Sequence, residues 1–313
     1  MGIRRLSRVA TALATGIEAK SKRSLSMMDL ARTSSSSVPL QYLKFSAKEE
    51  NGESEFPPVI VLHGLMASSG TYKSLLRRSD FAPKRDVYAL DLRNHGSSPH
   101  HESTNYQSLV SDVKHFMDEN GLEQACLIGH SLGGKIAMIM ALEAEERVSE
   151  LVVIDIAPQF YQAPPEEDRP TIVALRAMAK TNPVAYQSRE DVQNALQQFG
   201  VDSQRLRNFL MTNLVPDPNN PGHFRWRVNI RAIAEGLPDL LSFPEYDQSQ
   251  KFVGKSLFIR GMLSENVTNK HQLEIRRLFP AARIVSVDNA GHWVQADAPE
   301  TFVSAVNKFL GDV

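Results

Sequence analysis

The stretch that most restricts what this chain can become is Ala125-Cys126-Leu127-Ile128-Gly129-His130-Ser131-Leu132-Gly133-Gly134. It reads as a short apolar strand, a G-x-S-x-G turn, and then a helix from Lys135 to about Leu142. A serine hydroxyl is a poor nucleophile unless its backbone bends sharply enough to present Oγ beside a base. Gly129 and Gly133 leave room for such a strand-to-helix turn, where a β-carbon would clash. The N–H of Leu132 then falls at a helix N-terminus, where backbone donors have no intrahelical partner, and it can point at a developing oxyanion. A bare G-x-S-x-G also arises by chance. The strand before it and the helix after it make Ser131 the candidate nucleophile.

Other post-strand loops supply what a nucleophile needs. Pro58-Val59-Ile60-Val61-Leu62-His63-Gly64-Leu65-Met66 is a continuous apolar run ending in His-Gly, as expected of a central parallel strand covered on both faces. Gly64 permits a close approach, so the Leu65 N–H is the second candidate oxyanion donor, and His63 reads as ordering that loop by hydrogen bonding rather than as a base. Val87 to Ser98 is a strand running into a polar turn that Asp91 and Arg93 stabilise electrostatically. Near the C-terminus, the strand Arg283–Val287 leads into Asp288-Asn289-Ala290-Gly291-His292-Trp293. Serine first and histidine last, each on a loop after a strand, selects His292 as the base among nine histidines.

Together, Gly129-His130-Ser131-Leu132-Gly133, the His63-Gly64 loop, Asp91-Leu92-Arg93-Asn94-His95-Gly96-Ser97 and Gly291-His292-Trp293 resemble an α/β-hydrolase-fold serine hydrolase. The turn from Asp91 to Ser97 and the segment Asp155-Ile156-Ala157-Pro158 resemble the α/β-hydrolase domain-containing protein 11 group and its bacterial esterase relatives, over about residues 38 to 311. In that superfamily the triad acid usually sits in a G-x-x-D-x-x-V turn. Here the turn is Gly261-Met262-Leu263-Ser264-Glu265-Asn266-Val267, with Ser264 in the place of the Asp. Serine cannot hold a histidine Nδ1–H with a full negative charge. The resemblance therefore implies that Asp155, at the end of the strand Leu151–Ile154, is the orienting acid, with Glu265 as the alternative.

At 313 residues and 42% hydrophobic content the chain can bury one large core. Strand candidates at 38–45, 58–62, 86–91, 125–129, 151–155, 256–260 and 283–287, mostly separated by helical stretches, predict a doubly wound, mainly parallel α/β sheet. A formal charge of −1 gives no basic field for nucleic acid. The single cysteine, Cys126, excludes an intrachain disulfide and reads as core. No apolar run approaches the 18 residues or so that a transmembrane helix needs.

Two segments break the sheet rhythm. From Pro158 to about Gly254 there is no convincing strand. A proline-rich, acidic exit precedes helical patterns at 171–180, 189–198 and 203–213, and Pro216–Gly222 forms a turn. This reads as a helical cap at about 158–254 inserted into a hydrolase domain of 36–313. Its Met178, Phe199, Phe209, Met211, Leu214, Phe224 and Trp226 serve either to pack the cap or to line an acyl pocket. Within residues 1–35, Met1 to Met28 carry Arg4, Arg5, Arg8, Lys20, Lys22 and Arg23 against Glu18, and Ser34–Ser37 reads as a linker. A basic, acid-poor segment able to form an amphipathic helix is the pattern of a mitochondrial (matrix) transit peptide, the alternative being a cytoplasmic tail.

The chemistry expected is two-step acyl transfer from a small hydrophobic ester or thioester to water, through Ser131, Asp155 and His292, with no cofactor or metal. The alternative is a mitochondrial protein-interaction partner on a hydrolase fold, with catalysis secondary.

Overall fold

The computed structural model describes residues 37–47, 54, 56–160 and 169–311. The proposed transit peptide and linker, and most of the acidic proline-rich run after Phe160, lie outside the described residues.

Each apolar run picked out above contains a strand: β1 (Tyr42–Phe45), β2 (Val59–Leu62), β3 (Val87–Leu90), β4 (Ala125–His130) and β5 (Val148–Ile154) before the insertion, and β8 (Ser256–Gly261) and β9 (Ala282–Val287) after it. β2, β3 and β4 are buried at every position, because a strand covered on both faces has no solvated side to carry polar residues. β1, at the edge, alternates exposed and half-buried residues. The strand order is β1-β3-β2-β4-β5-β8-β9. Only β1 runs antiparallel to its neighbour; every other pair in this sheet is parallel.

The chain lays β3 on one side of β2 and then places β4 on the other. Such a reversal leaves the loops at the carboxyl ends of the two strands diverging, which opens the crevice where open α/β sheets bind ligands. The loop Leu62–Leu65 leaves β2 there and Ser131 leaves β4 there.

Between the strands of the sheet lie helices α1 (Tyr106–Glu119) and α2 (Leu132–Glu143), with α7 (Gln272–Leu278) and α8 (Pro299–Leu310) at the C-terminal end. α2 is buried from Leu132 to Leu142 and has no solvated stripe, because it lies against β2, β4 and β5. Phe302, Val303, Val306 and Leu310 of α8 join Val59, Val61, Cys126, Ile128, Val152 and Ile154 in one buried cluster. Each such side chain contributes roughly 1.5–3 kcal/mol on burial.

The described residues fall into two compact units. One holds the sheet (37–92, 109–159 and from 243 on); the other comprises 93–108 and the insertion from 160 to 242. Within the second unit, α3 (Pro170–Lys180), α4 (Arg189–Gln198), α5 (Gln204–Met211) and α6 (Ile230–Leu241) account for the helical patterns, α6 being additional to those foreseen. Asn94 binds 93–108 to the insertion: its carbonyl accepts the Asn229 N–H at 2.9 Å and its Oδ1 accepts from Asn229 Nδ2 at 3.0 Å. The reading of the insertion as strand-free is corrected. β6 (Leu214–Pro216) and β7 (Phe224–Trp226) pair antiparallel across the Pro216–Gly222 turn, and three residues per strand are too few to show an alternating pattern. The Trp226 indole N–H is shared between the Met178 and Thr181 carbonyls, which ties this hairpin to α3.

Among the described residues, no helix is long and apolar enough to cross a membrane.

Candidate active site

The turn after β4 is tighter than sequence alone conveys. α2 begins at Leu132, not at Lys135 as the sequence suggested, so Ser131 is the residue directly before the helix. Its φ is +52°, a left-handed conformation that costs a non-glycine residue roughly 1–3 kcal/mol and persists only where the surroundings enforce it. The Ser131 N–H donates to the Ile154 carbonyl at 3.1 Å, and the Ser131 carbonyl accepts from Lys135 N–H at 3.1 Å. A β-carbon at Gly129 would lie 2.2 Å from the Gly133 carbonyl oxygen, and one at Gly133 would lie 2.2 Å from the Leu62 carbonyl oxygen. Backbone cannot yield as a flexible side chain can, so both positions must lack a side chain.

The Leu62–Ala67 loop closes against this turn. A β-carbon at Gly64 would stand 3.3 Å from Ser131 Cβ and 2.8 Å from His130 Nδ1. Gly64 to Ala67 is a β-turn closed by the Ala67 N–H on the Gly64 carbonyl at 3.1 Å, with Met66 at φ +59° in its third position. Among the described residues, neither the Leu65 N–H nor the Leu132 N–H has a hydrogen-bond partner within the chain. Asp91 anchors the far end of this loop by accepting the Ser69 N–H at 2.7 Å, a longer reach than the local turn expected for it. Arg93 donates to the Ser103 carbonyl and hydroxyl.

His292 follows β9, and its Nδ1 lies 2.8 Å from Asp155 Oδ2. The Asp155 side chain is fully buried at the end of β5, whereas His292 keeps a third of its side chain exposed. Burial opposes ionisation of Asp155. The bond and charge of His292, followed by donors from Ser264 and Gly261, outweigh it and hold the carboxyl below its ordinary range. An ionised Asp155 facing Nδ1 puts the ring proton there and leaves the lone pair of Nε2 available. Glu265, the alternative acid, is exposed.

Sequence reasoning missed the other groups that hold Asp155. Ser264, noted only as unable to replace the acid, donates its hydroxyl to Oδ2 at 2.5 Å. The Gly261 N–H donates to Oδ1 at 3.0 Å. Asn266 Nδ2 lies 3.3 Å from Oδ2 and 2.7 Å from His292 Nδ1, so its amide is a further neighbour of the pair. The unusual serine in the G-x-x-D-x-x-V turn was the visible signal.

His130 ties the histidine loop to the serine turn. Its Nε2–H donates to the His292 carbonyl at 2.8 Å, and the two rings stand 4.6 Å apart. Burial first, and then the neighbouring His292 charge, push the His130 pKa down to about 3, so it is neutral near pH 7. His95 is buried with Nδ1 on the Arg93 carbonyl, a structural position.

Residues 57–299 match the family described as alpha/beta hydrolase fold. The sn-1-specific diacylglycerol lipase ABHD11 of Mus musculus is 36% identical over 271 residues, which cover 87% of this chain and 86% of that protein. Esterase YbfF of Escherichia coli is 27% identical over 273 residues, covering 86% of this chain and 99% of the esterase. Among solved structures, a marine microorganism esterase superposes with a TM-score of 0.79 at 30% identity, over 87% of this chain and 100% of its own. With the parallel sheet and the serine turn in place, this likeness is decisive: the chain belongs to the α/β-hydrolase family, and within it resembles the ABHD11 lipases and the bacterial esterases.

Proposed function

We propose that this carboxylic ester hydrolase works as a serine hydrolase, transferring a hydrophobic acyl group from an ester or thioester to Ser131 and then to water. His292 Nε2 takes the proton from Ser131 Oγ as Oγ attacks the carbonyl carbon. The Leu65 and Leu132 N–H groups receive the oxyanion, and His292 returns the proton to the departing alcohol or thiol. Water then repeats the sequence on the acyl-serine, releasing the acid and restoring the hydroxyl. Asp155 stays ionised throughout and stabilises the imidazolium.

The observation that carries this reading is the buried Asp155 bonded to His292 Nδ1 at 2.8 Å, on a loop held by His130 beside the strained Ser131. The names of its relatives, a diacylglycerol lipase and esterases, support an ester of a hydrophobic acid as the substrate class. The test is Ser131→Ala assayed on p-nitrophenyl esters of graded acyl length and by fluorophosphonate labelling. Loss of both in a folded chain is expected, and full labelling of the variant would refute the nucleophile. Mitochondrial delivery by residues 1–35 is part of the same proposal and rests on their basic, acid-poor composition.

A further inference from the structure

We infer that Asn266 is a positioning residue that restrains the base: its side-chain amide favours the form of His292 in which Nε2 holds the ring proton, so the ring spends part of its time unable to act on Ser131. This rests on the acyl-transfer reading above and adds to it a residue that never meets the substrate.

Three donors converge on one carboxylate oxygen. Asp155 Oδ2 faces the Ser264 hydroxyl at 2.5 Å, His292 Nδ1 at 2.8 Å and Asn266 Nδ2 at 3.3 Å. A carboxylate oxygen offers about two lone-pair sites, so the two nearer donors fill them and the Asn266 amide holds the weakest place. The same amide nitrogen lies closer to the ring, 2.7 Å from His292 Nδ1. An NH₂ group only donates, and Nδ1 can accept only when its proton has gone to Nε2. In that form the Nδ1 lone pair and the Oδ2 charge face each other, and the Asn266 N–H, within reach of both, offsets their repulsion. Asp155 thus draws the ring proton to Nδ1, and Asn266 draws it away.

The amide is held where it can compete. The Asn266 N–H donates to Ser264 Oγ at 3.2 Å, so the hydroxyl that binds the acid also fixes the backbone of its rival. The next residue, Val267, is buried, and its carbonyl accepts from Arg260 at the end of β8 at 3.4 Å. The imidazolium that forms as Ser131 gives up its proton carries hydrogens on both nitrogens and can accept nothing from Asn266. The amide-to-ring bond therefore exists before proton transfer and is lost during it. An interaction stronger in the ground state than in the transition state slows the chemical step.

This role and simple support of Asp155 predict opposite signs. Leucine copies the branched outline of asparagine and donates nothing. Asn266→Leu should raise kcat on a p-nitrophenyl ester by roughly two- to tenfold, the worth of one ordinary hydrogen bond, with KM altered less than about threefold. A folded Asn266→Leu chain with kcat unchanged or lowered would overturn the inference, a fall meaning that the amide turns its oxygen to Nδ1–H and helps the base. The second readout is the ¹⁵N spectrum of the histidine-labelled chain in mildly alkaline buffer, with His292 identified by its loss in His292→Gln. The native Nδ1 signal should lie between the protonated and unprotonated positions, and Asn266→Leu should move it to the protonated one. A native Nδ1 already fully protonated is equally fatal. If the leucine chain does not fold, Asn266→Ala is read by the same two measurements against the same outcomes. Repeating the spectra in a Ser131→Ala background separates the two readings. There the shift on Asn266→Leu tests the amide without turnover, whereas a fully active Ser131→Ala chain would sink acyl transfer itself.

Discussion

Replacing Asp155 with Asn changes almost no volume, so its effect is read from the hydrogen bonds. In the native chain Oδ1 accepts from the Gly261 N–H at 3.0 Å and Oδ2 accepts from His292 and Ser264. The Gly261 N–H can only donate, so the new side chain keeps its oxygen there and turns its NH₂ to the Oδ2 position. That NH₂ now faces His292 Nδ1, which can meet it only as an acceptor. The ring proton moves to Nε2, where the base should have been, and the charge that stabilised the imidazolium is gone. In the serine-protease example from which the general rule comes, the same change costs about 10⁴ in kcat. A fall of about two to four orders is expected here, with KM much less affected. The Ser264 hydroxyl can rotate to accept from the new NH₂, which limits the stability cost to roughly 1–3 kcal/mol for the strained network. The assay is steady-state hydrolysis of a p-nitrophenyl ester at matched folded fraction, judged by thermal melting, with exposed Glu265→Gln as the comparison expected to cost little. Because residues of one catalytic unit do not act additively, adding Asp155→Asn to Ser131→Ala should lower the residual rate hardly further. An Asp155→Asn chain within tenfold of native, or a crippled Glu265→Gln chain, would refute the reasoning.

Gly133→Ala should yield little soluble protein, because its β-carbon would stand 2.2 Å from the Leu62 carbonyl oxygen; an expressed, active variant would show that the turn is looser than described. His130, with a pKa held near 3 against an ordinary 6.5, refuses a proton that the unfolded chain accepts. Stability should therefore fall as pH drops between those values, by about 1.4 kcal/mol per unit from this group. His130→Gln, which keeps a donor for the His292 carbonyl, should flatten the melting temperature against pH by about one proton; an unchanged slope counts against a neutral, buried His130. Fused to a reporter, residues 1–35 should direct it to mitochondria and be trimmed, and a full-length cytosolic reporter would end that reading.

The sheet was legible because its central strands are covered on both faces, and a run such as Val59–Leu62 has no other comfortable home. What escaped was short or masked. Leu214–Pro216 and Phe224–Trp226 hold too few residues for a period to appear, and Pro238 inside α6 disguises a helix that Asn229 caps at the Ala232 N–H. The helix start at Leu132 was displaced in the reading because Gly133 and Gly134 are weak helix formers; contact with the neighbouring strands overrides their propensity. At the site, the serine turn and the late histidine announce themselves by local pattern. Asp155 does not: it stands out only through the resemblance and through Ser264 in the place of the usual acid. The donors around it come from Gly261, Ser264 and Asn266, more than a hundred positions away, and no local pattern reveals such a meeting.

The position of β9 at the sheet edge, paired only with β8, has a consequence for how the protein comes into being. The turn bearing Ser131, the loop bearing Leu65 and the strand ending in Asp155 are all complete well before the chain reaches residue 282. His292 arrives with the last strand. A ribosome, or an unfolded chain emerging C-terminus last from a narrow passage, thus delivers every part of the proposed machinery but its base, and on that proposal holds a nearly finished sheet that does nothing. Activity then reports the docking of the last strand of this sheet, with His292 on the loop that follows it.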